Sequence, residues 1–231
     1  MNKRFFFINA LCVLIMTALC MTVASCSDDD EKEPESPIVE TVPDLCPDNN
    51  HPHAIDLGLP NGVKFACCNV GAPTPTMDGN FFAWGETESK AKYSDNNYKY
   101  YDYKLKEYID IGGDISGTDY DVAHVLWKGD WRMPKHDDFY YLKYNCEKEW
   151  VEINGKKGVK FTGTNGNAIF MPASGDKLGV ILNNNGSEGH YWTSQLKDMD
   201  EAKYFYFDSN LQMKNANYYK YIGFTVRPVI F

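Results

Sequence analysis

The stretch GDWRMPKHDDFYYL, residues 129–142, is the part of the chain that decides the fold prediction. Pro134 favours the start of a helix just after it, and the apolar residues that follow recur with helical spacing. Phe139, Leu142 and Cys146 stand at positions i, i+3 and i+7, which places them on one face of a helix. We therefore predict a helix that begins just after Pro134 and buries this face.

Within this stretch, Arg132, His136, Asp137 and Asp138 fall within seven residues of one another. They could form an acid/base or metal cluster, but carboxylates in the first turn also oppose the partial positive charge of exposed helix N–H groups. With Lys135 at the cap, Asp138 occupies the third helical position. We favour the helix-start interpretation, and we expect Arg132 and Arg227 to pair with carboxylates or carbonyls.

The flanking sequence predicts strands on both sides of two helices. The earlier helix, TDYDVAHVLW, has Thr118 as its predicted N-cap and Asp121 at the capping-box spacing. Residues 86–117 lack clean periodicity and are predicted to be an irregular insertion with one amphipathic turn near residues 103–109. Short runs such as WVEI, VKFTG, AIFMP, YWTSQL and YFYFDS follow, with Asn-Gly-type turns between the first of them. This order predicts an α+β domain.

The N-terminus predicts export and lipid anchoring. MNKR is a basic n-region, and FFFINALCVLIMTALCMTV is an apolar h-region. Residues 23–26 (VASC) are similar to a bacterial lipobox, so residues 1–26 are predicted to be a lipoprotein signal peptide with Cys26 acylated. An uncleaved anchor or an ordinary signal peptide is the alternative. Residues 27–50 are acidic and proline-rich and predict a linker, which leaves residues 51–231 as the domain.

Charge argues against two classes of partner. Without Lys3 and Arg4 the chain has 21 basic and 32 acidic residues, a net charge of about −11. Nucleic-acid binding depends on phosphate neutralisation by Lys and Arg, so no nucleic-acid partner is expected. The globular part is not expected to bind an anionic membrane surface either. The predicted membrane contact is the lipid on Cys26.

Several motifs in order resemble the Fibrobacter succinogenes major paralogous domain family, over about residues 55–230. They are DLGLPNGVKFACCNVGA, FFAWGET, WRMPKHDDF, AIFMPASG, GHYWTSQL and GFTVRPV. The resemblance implies a C-type-lectin-like fold, with two helices flanking a twisted, mostly antiparallel sheet and long loops on one side. It also implies a surface lipoprotein of Bacteroidota. The acidic run after Cys26 is similar to the signal that directs such proteins to the outer face of the outer membrane.

Four cysteines follow Cys26 in the chain: Cys46, Cys67, Cys68 and Cys146. None has C-x-x-C spacing, and adjacent cysteines need distant partners to bind zinc, so no metal site is predicted. His51 and His53 form a short H-x-H that could bind a metal weakly, but a pair beside the linker without a third ligand in sequence is more typical of a solvated segment. The resemblance implies a disulfide between Cys68 and Cys146; two buried thiols are the alternative, and Cys46 with Cys67 would be a weaker pair.

No catalytic motif is found, so the chain is expected to be a binding protein without enzyme activity or cofactor. The calcium-dependent sugar motifs of C-type lectins are absent, which predicts calcium-independent binding of a glycan or a surface protein. Aromatic residues are the candidate contacts, unless they pack the insertion against the domain. The alternative function is an accessory subunit of an envelope assembly, such as a fimbrial tip or nutrient-uptake complex. The candidate aromatics are Tyr93, Tyr98, Tyr101, Tyr103, Tyr191 and Trp192.

Overall fold

A computed structural model describes residues 50–231 of the chain. The predicted signal peptide, Cys26, Cys46 and almost all of the predicted linker lie outside the described residues. Within residues 50–231, no helix is long and apolar enough to cross a membrane.

The described residues form thirteen strands and two α-helices. The first half contains β1 (Ala54–Ile55), β2 (Lys64–Ala66), β3 (Tyr101–Asp102), β4 (Glu107–Tyr108), α1 (Val122–Trp127) and α2 (His136–Asn145). The second half contains β5 (Glu147–Ile153), β6 (Lys156–Thr162), β7 (Ala168–Pro172), β8 (Asp176–Leu178), β9 (Ile181–Asn183), β10 (Glu188–Leu196), β11 (Glu201–Asp208), β12 (Met213–Tyr219) and β13 (Val229–Ile230).

These strands build five small antiparallel sheets. Three of the sheets have three strands each, in the orders β1-β2-β13, β5-β6-β7 and β10-β11-β12. The other two are the hairpins β3-β4 and β8-β9. Turns keep the strands short, and the β5–β6 turn has both Asn154 and Gly155 at positive φ, as a two-residue hairpin turn requires.

The prediction of an α+β, C-type-lectin-like fold with two helices flanking one sheet is wrong. The fold is β-rich and divided among small sheets, and its helices are too short to cover a sheet from both sides. Helix α1 has six residues, because Lys128 and Gly129 both adopt positive φ directly after it. Helix α2 has ten residues and packs against β10, β11 and β12.

The predicted buried face of α2 is confirmed. Phe139 and Leu142 are fully buried, and Cys146 follows the helix as its C-cap and is also buried. The ring of Phe139 stacks on that of Phe205 in β11, with 4.6 Å between centroids. A fully buried aromatic or aliphatic side chain contributes about 1.5–3 kcal/mol, so this face fastens α2 to the β10-β11-β12 sheet.

The predicted cap of α1 is at the wrong residue. Asp121, not Thr118, is the N-cap, and its Oδ1 accepts from the backbone N–H groups of Ala123 and His124 at 2.9 and 3.2 Å. Its Oδ2 accepts from Gly117 and Met133 at 2.9 and 2.8 Å. The Thr118 hydroxyl instead donates to a carbonyl three residues before it.

Residues 86–117 are more regular than predicted. In place of an amphipathic turn, the chain forms a 3-10 turn at Asp95–Asn97 and the β3-β4 hairpin. Tyrosines of this segment pack with Phe81 and Ala83 into a separate buried cluster. The segment is therefore held by its own aromatic core.

Candidate functional site

Four of the six candidate aromatics are core residues and cannot contact a ligand. Tyr93, Tyr98, Tyr191 and Trp192 are at most 2 % exposed. Their polar atoms are satisfied internally: Tyr98 Oη donates to Trp84 O at 2.8 Å, and Trp192 Nε1 donates to Phe82 O at 2.8 Å. Burial raises the pKa of the Tyr98 phenol far above its usual value. The interpretation of these four as ligand contacts is therefore wrong, and packing explains them.

Tyr101 and Tyr103 remain partly accessible on the β3-β4 hairpin. Tyr101 is half-buried and Tyr103 is 47 % exposed. Their rings meet edge to face with centroids 4.8 Å apart, and Tyr101 makes a second such contact with Tyr108. Because these contacts cover part of both rings, only a small area of the two rings is accessible to a ligand.

A concave surface lies at the start of α2 and is called the α2 cleft here. It encloses about 550 Å³, within the range of small-molecule sites. Its walls come from the loop before β2, the segment before α1, the first turns of α2 and the C-terminus. The lining residues are Asn61, Asp114, Ser116, Arg132, Lys135, Asp137, Asp138, Tyr141 and Phe231.

Ion pairs fix the polar groups of the α2 cleft. Arg132 Nη1 donates to Asp138 Oδ2 at 2.8 Å, and both side chains are mostly buried. Asp138 Oδ2 also accepts the Lys135 backbone N–H at 2.8 Å, while Asn61 Nδ2 donates to its Oδ1 at 3.1 Å. Lys135 Nζ lies 3.0 Å from Asp114 Oδ2. Each of these two carboxylates thus has a cationic partner already, and Asp138 acts in the helix start as the sequence predicts.

Aromatic surface adjoins these polar groups. Phe231 is 75 % exposed, and the Arg132 guanidinium lies 5.0 Å from its ring centroid. Tyr141, on the second turn of α2, is half-buried and lines the same cleft. The cleft therefore combines fixed hydrogen-bonding groups with two aromatic side chains. Phe231 was not predicted from the sequence, because no local pattern places this residue beside α2.

The β8-β9 hairpin carries an exposed apolar surface, called the aliphatic tip here. Val180 and Ile181 are 74 % and 62 % exposed, and Leu178 and Leu182 are exposed beside them. Gly179, in the turn between β8 and β9, makes two backbone hydrogen bonds with Tyr93. Single apolar residues scattered over a surface are normal and need no explanation. Four exposed aliphatic side chains on one hairpin form a patch, and such patches mark interaction sites.

A third group of residues lies at the N-terminal edge of the domain. His51, His53 and Cys67 place their ligand atoms within 4.8 Å of one another. Sequence analysis treated the H-x-H as a solvated segment without a third ligand and predicted no metal site for the cysteines. The pairing of β1 with β2 supplies that third residue, which the sequence separation of fourteen positions from His53 concealed.

The disulfide between Cys68 and Cys146 is not formed. Cys146 is a free thiol in the cluster under α2, and burial raises its pKa to about 11. Cys68 is buried in a different cluster, beside Cys67 and Ala72. The alternative of buried thiols therefore holds for Cys146. The pairing of Cys46 with Cys67 involves a residue outside the described part of the chain.

Comparisons with family models, with curated proteins and with solved structures find no match to this chain.

Proposed function

We propose that this chain is a lipid-anchored surface protein whose domain binds a glycan in the α2 cleft, without calcium and without catalysing a reaction. The anchor is the acylated Cys26 expected from the sequence, and residues 27–50 are the expected linker between the anchor and the domain. The binding role falls to the α2 cleft, because four of the six candidate aromatics are buried.

The observation that carries the proposal is the composition of the α2 cleft. A saccharide presents hydroxyl groups around its edge and C–H groups on its faces. The cleft offers Asn61, Ser116 and Asp137 as hydrogen-bonding groups and the exposed ring of Phe231 as an apolar wall. A pocket of this size with a few fixed polar groups matches the usual form of a small-ligand site.

The ion pairs of the cleft support binding without calcium. Calcium takes six to eight oxygen ligands, including ionised carboxylates that are free to turn toward it. In the cleft, Asp114 and Asp138 are held by Lys135 and Arg132 at 3.0 and 2.8 Å. Recruiting them to a cation would break both ion pairs, so neutral hydroxyl groups suit the cleft better.

A glycan array on the full chain, purified in detergent, tests the proposal. We expect binding that chelation of calcium does not change. Phe231→Ala and Asn61→Ala should each weaken it at least tenfold, since each removes a wall or a donor of the cleft. Tyr144→Ala is the matched control, because Tyr144 is an exposed aromatic on α2 that does not line the cleft. Binding that survives both cleft variants would refute the site.

The aliphatic tip favours a second candidate function, an accessory subunit of an envelope assembly. Exposed aliphatic side chains at a rigid hairpin turn suit insertion between protein surfaces better than glycan contact. In cross-linked cells, the double variant Val180→Asp with Ile181→Asp should lose a partner that the unaltered chain retains. Met77→Asp, at another exposed apolar residue, is the control and should retain the partner. An unchanged partner set in the double variant would contradict this candidate.

A further inference from the structure

We propose that His51, His53 and Cys67 form a Zn²⁺ site that fastens the N-terminal edge of the domain. The site shares no residue with the α2 cleft, and it stands or fails independently of glycan binding. It rests on the convergence of two imidazoles and one sulfur atom from residues that flank two paired strands, β1 and β2.

The pairing of β1 with β2 brings His51 and His53 close to Cys67. In the antiparallel β1-β2 pair, Ala54 lies opposite Ala66. One step outward, the Cys67 backbone N–H donates to His53 O at 2.9 Å, so the pairing continues to this position. His51 and His53 directly precede β1, and their ring nitrogen atoms and Cys67 Sγ lie within 4.8 Å of one another. The pairing of β1 with β2 therefore brings the H-x-H segment beside Cys67.

The distances fit the coordination sphere of zinc. Zn–N bonds of about 2.05 Å and a Zn–S bond of about 2.3 Å, at a tetrahedral angle, require an N···S separation of about 3.6 Å. The Cys67 Sγ atom lies 3.3 Å from His51 Nδ1 and 3.8 Å from His53 Nδ1. These two separations bracket the required value. All three ligand atoms lie within 4.8 Å of one another, and a bound ion would draw them closer together.

The ligand types select the metal. Imidazole and thiolate together favour zinc among the common divalent ions, whereas calcium and magnesium require oxygen ligands. Cys67 is fully buried and both histidines are half-buried, so the ion would lie at the edge of the apolar cluster that contains Cys67. The His53 backbone N–H donates to Cys67 Sγ at 3.1 Å. Such an outer hydrogen bond stabilises a metal-bound thiolate.

The expected role is structural. Strand β1 has two residues and pairs with β2 alone, so few hydrogen bonds hold it in the sheet. An ion shared by His51, His53 and Cys67 would cross-link the chain before β1 to the end of β2. Three protein ligands leave one of the four tetrahedral positions for a further ligand or water.

Metal binding by the full chain, purified in detergent, reduced and stripped with a chelator, tests this proposal. We expect about one Zn²⁺ per chain and no competition from Ca²⁺. Co²⁺ as a substitute should give a thiolate-to-metal charge-transfer band, which a site without sulfur lacks. His51→Ala, His53→Ala and Cys67→Ser should each weaken Zn²⁺ binding at least tenfold, and Cys67→Ser should abolish the cobalt band.

The controls separate ligand loss from unfolding. His136→Ala and Cys146→Ser remove the same chemical groups elsewhere in the domain and should keep both zinc binding and the cobalt band. His51 is half-buried, so His51→Ala should retain the near-UV circular dichroism of the unaltered chain while losing zinc. Three results would overturn the proposal: no zinc bound at micromolar concentration, a cobalt band that persists in Cys67→Ser, or Cys67 isolated from cells in a disulfide.

Discussion

Arg227 is buried completely in the domain and donates to three neutral oxygen atoms. Its Nε donates to Asn69 Oδ1 at 2.8 Å, and its Nη1 and Nη2 donate to Ala66 O and Phe170 O at 3.0 and 2.9 Å. The expectation that this arginine pairs with carbonyls is confirmed. Because β2, β7 and the loop after β2 all bond to one guanidinium, Arg227 connects two of the small sheets.

Replacing Arg227 by methionine should lower the free energy of unfolding by about 3–5 kcal/mol, since buried acceptors lose charged donors. Arg227→Lys should recover only part of this loss, because an ammonium group cannot reproduce the planar fork. Urea unfolding followed by circular dichroism measures both values. A loss below about 1 kcal/mol in Arg227→Met would show that water replaces the guanidinium.

Asp121 is a second buried residue that makes several hydrogen bonds, and its two carboxylate oxygens accept from different backbone N–H groups. Its Oδ1 caps α1, and its Oδ2 accepts from Gly117 and Met133. Burial raises the pKa of this carboxyl, and the four N–H donors offset part of the rise.

Asp121→Asn should be nearly as damaging as Asp121→Ala, at about 2–3 kcal/mol, because one side of the amide must face two N–H donors. Thermal and urea unfolding of both variants provide the comparison. An asparagine variant close to the unaltered protein in stability would mean that only the cap of α1 matters.

At the scale of elements, the start of α2 shows how a helix begins without a cap hydroxyl. Asp138 accepts the Lys135 backbone N–H at 2.8 Å and pairs with Arg132. Asp137 is 84 % exposed and pairs with His136. The charged run of GDWRMPKHDDFYYL therefore serves the helix start through Asp138, and Lys135 provides no side-chain acceptor for the first turn.

Lys135→Ser should raise the free energy of unfolding by about 0.5–1 kcal/mol, since a hydroxyl at the N-cap can accept an N–H of the first turn. The lost ion pair with Asp114 is partly exposed and worth less than the gain. Lys135→Ala, which loses the ion pair without adding a cap, is the matched control. A serine variant no more stable than the alanine variant would contradict the capping argument.

For the whole molecule, aromatic packing predicts sensitivity to alkali. Burial raises the pKa of Tyr204 from 10.0 to about 12 and that of Cys146 from 9.0 to about 11. Both groups hold their protons more tightly in the folded state than in the unfolded chain. The contribution of each group to the free energy of unfolding is therefore fully present below the pKa that the group has in the unfolded chain. This contribution is lost as the pH rises through the pKa of the folded state, from about 9 to about 12.

Each of the two groups should cost about 2–3 kcal/mol across this range, given 1.36 kcal/mol per pKa unit. Urea unfolding at successive pH values, with tyrosinate absorbance recorded in parallel, measures the loss. Tyr204→Phe should reduce the dependence of stability on pH relative to the unaltered chain. A pH dependence equal to that of the unaltered chain would contradict a raised pKa of Tyr204.

The sequence by itself determined the helix face and the turn that depend only on residues close together in the chain. The periodicity of Phe139, Leu142 and Cys146 predicted the buried face of α2, and the Asn-Gly turn at residues 154–155 predicted the β5-β6 hairpin. Strand β12 (Met213–Tyr219) was not predicted. Its polar sequence MKNANYY gains strand structure only through pairing with β11.

The tertiary structure alone decided which residues meet across the chain. It divided the strands into small sheets, because strand length and pairing partners depend on long-range contacts that no local pattern encodes. It buried Tyr93 and Trp192 and brought Phe231 to α2. It also placed Cys67 beside the histidine pair, since residues that flank two paired strands meet only once the register of those strands is fixed.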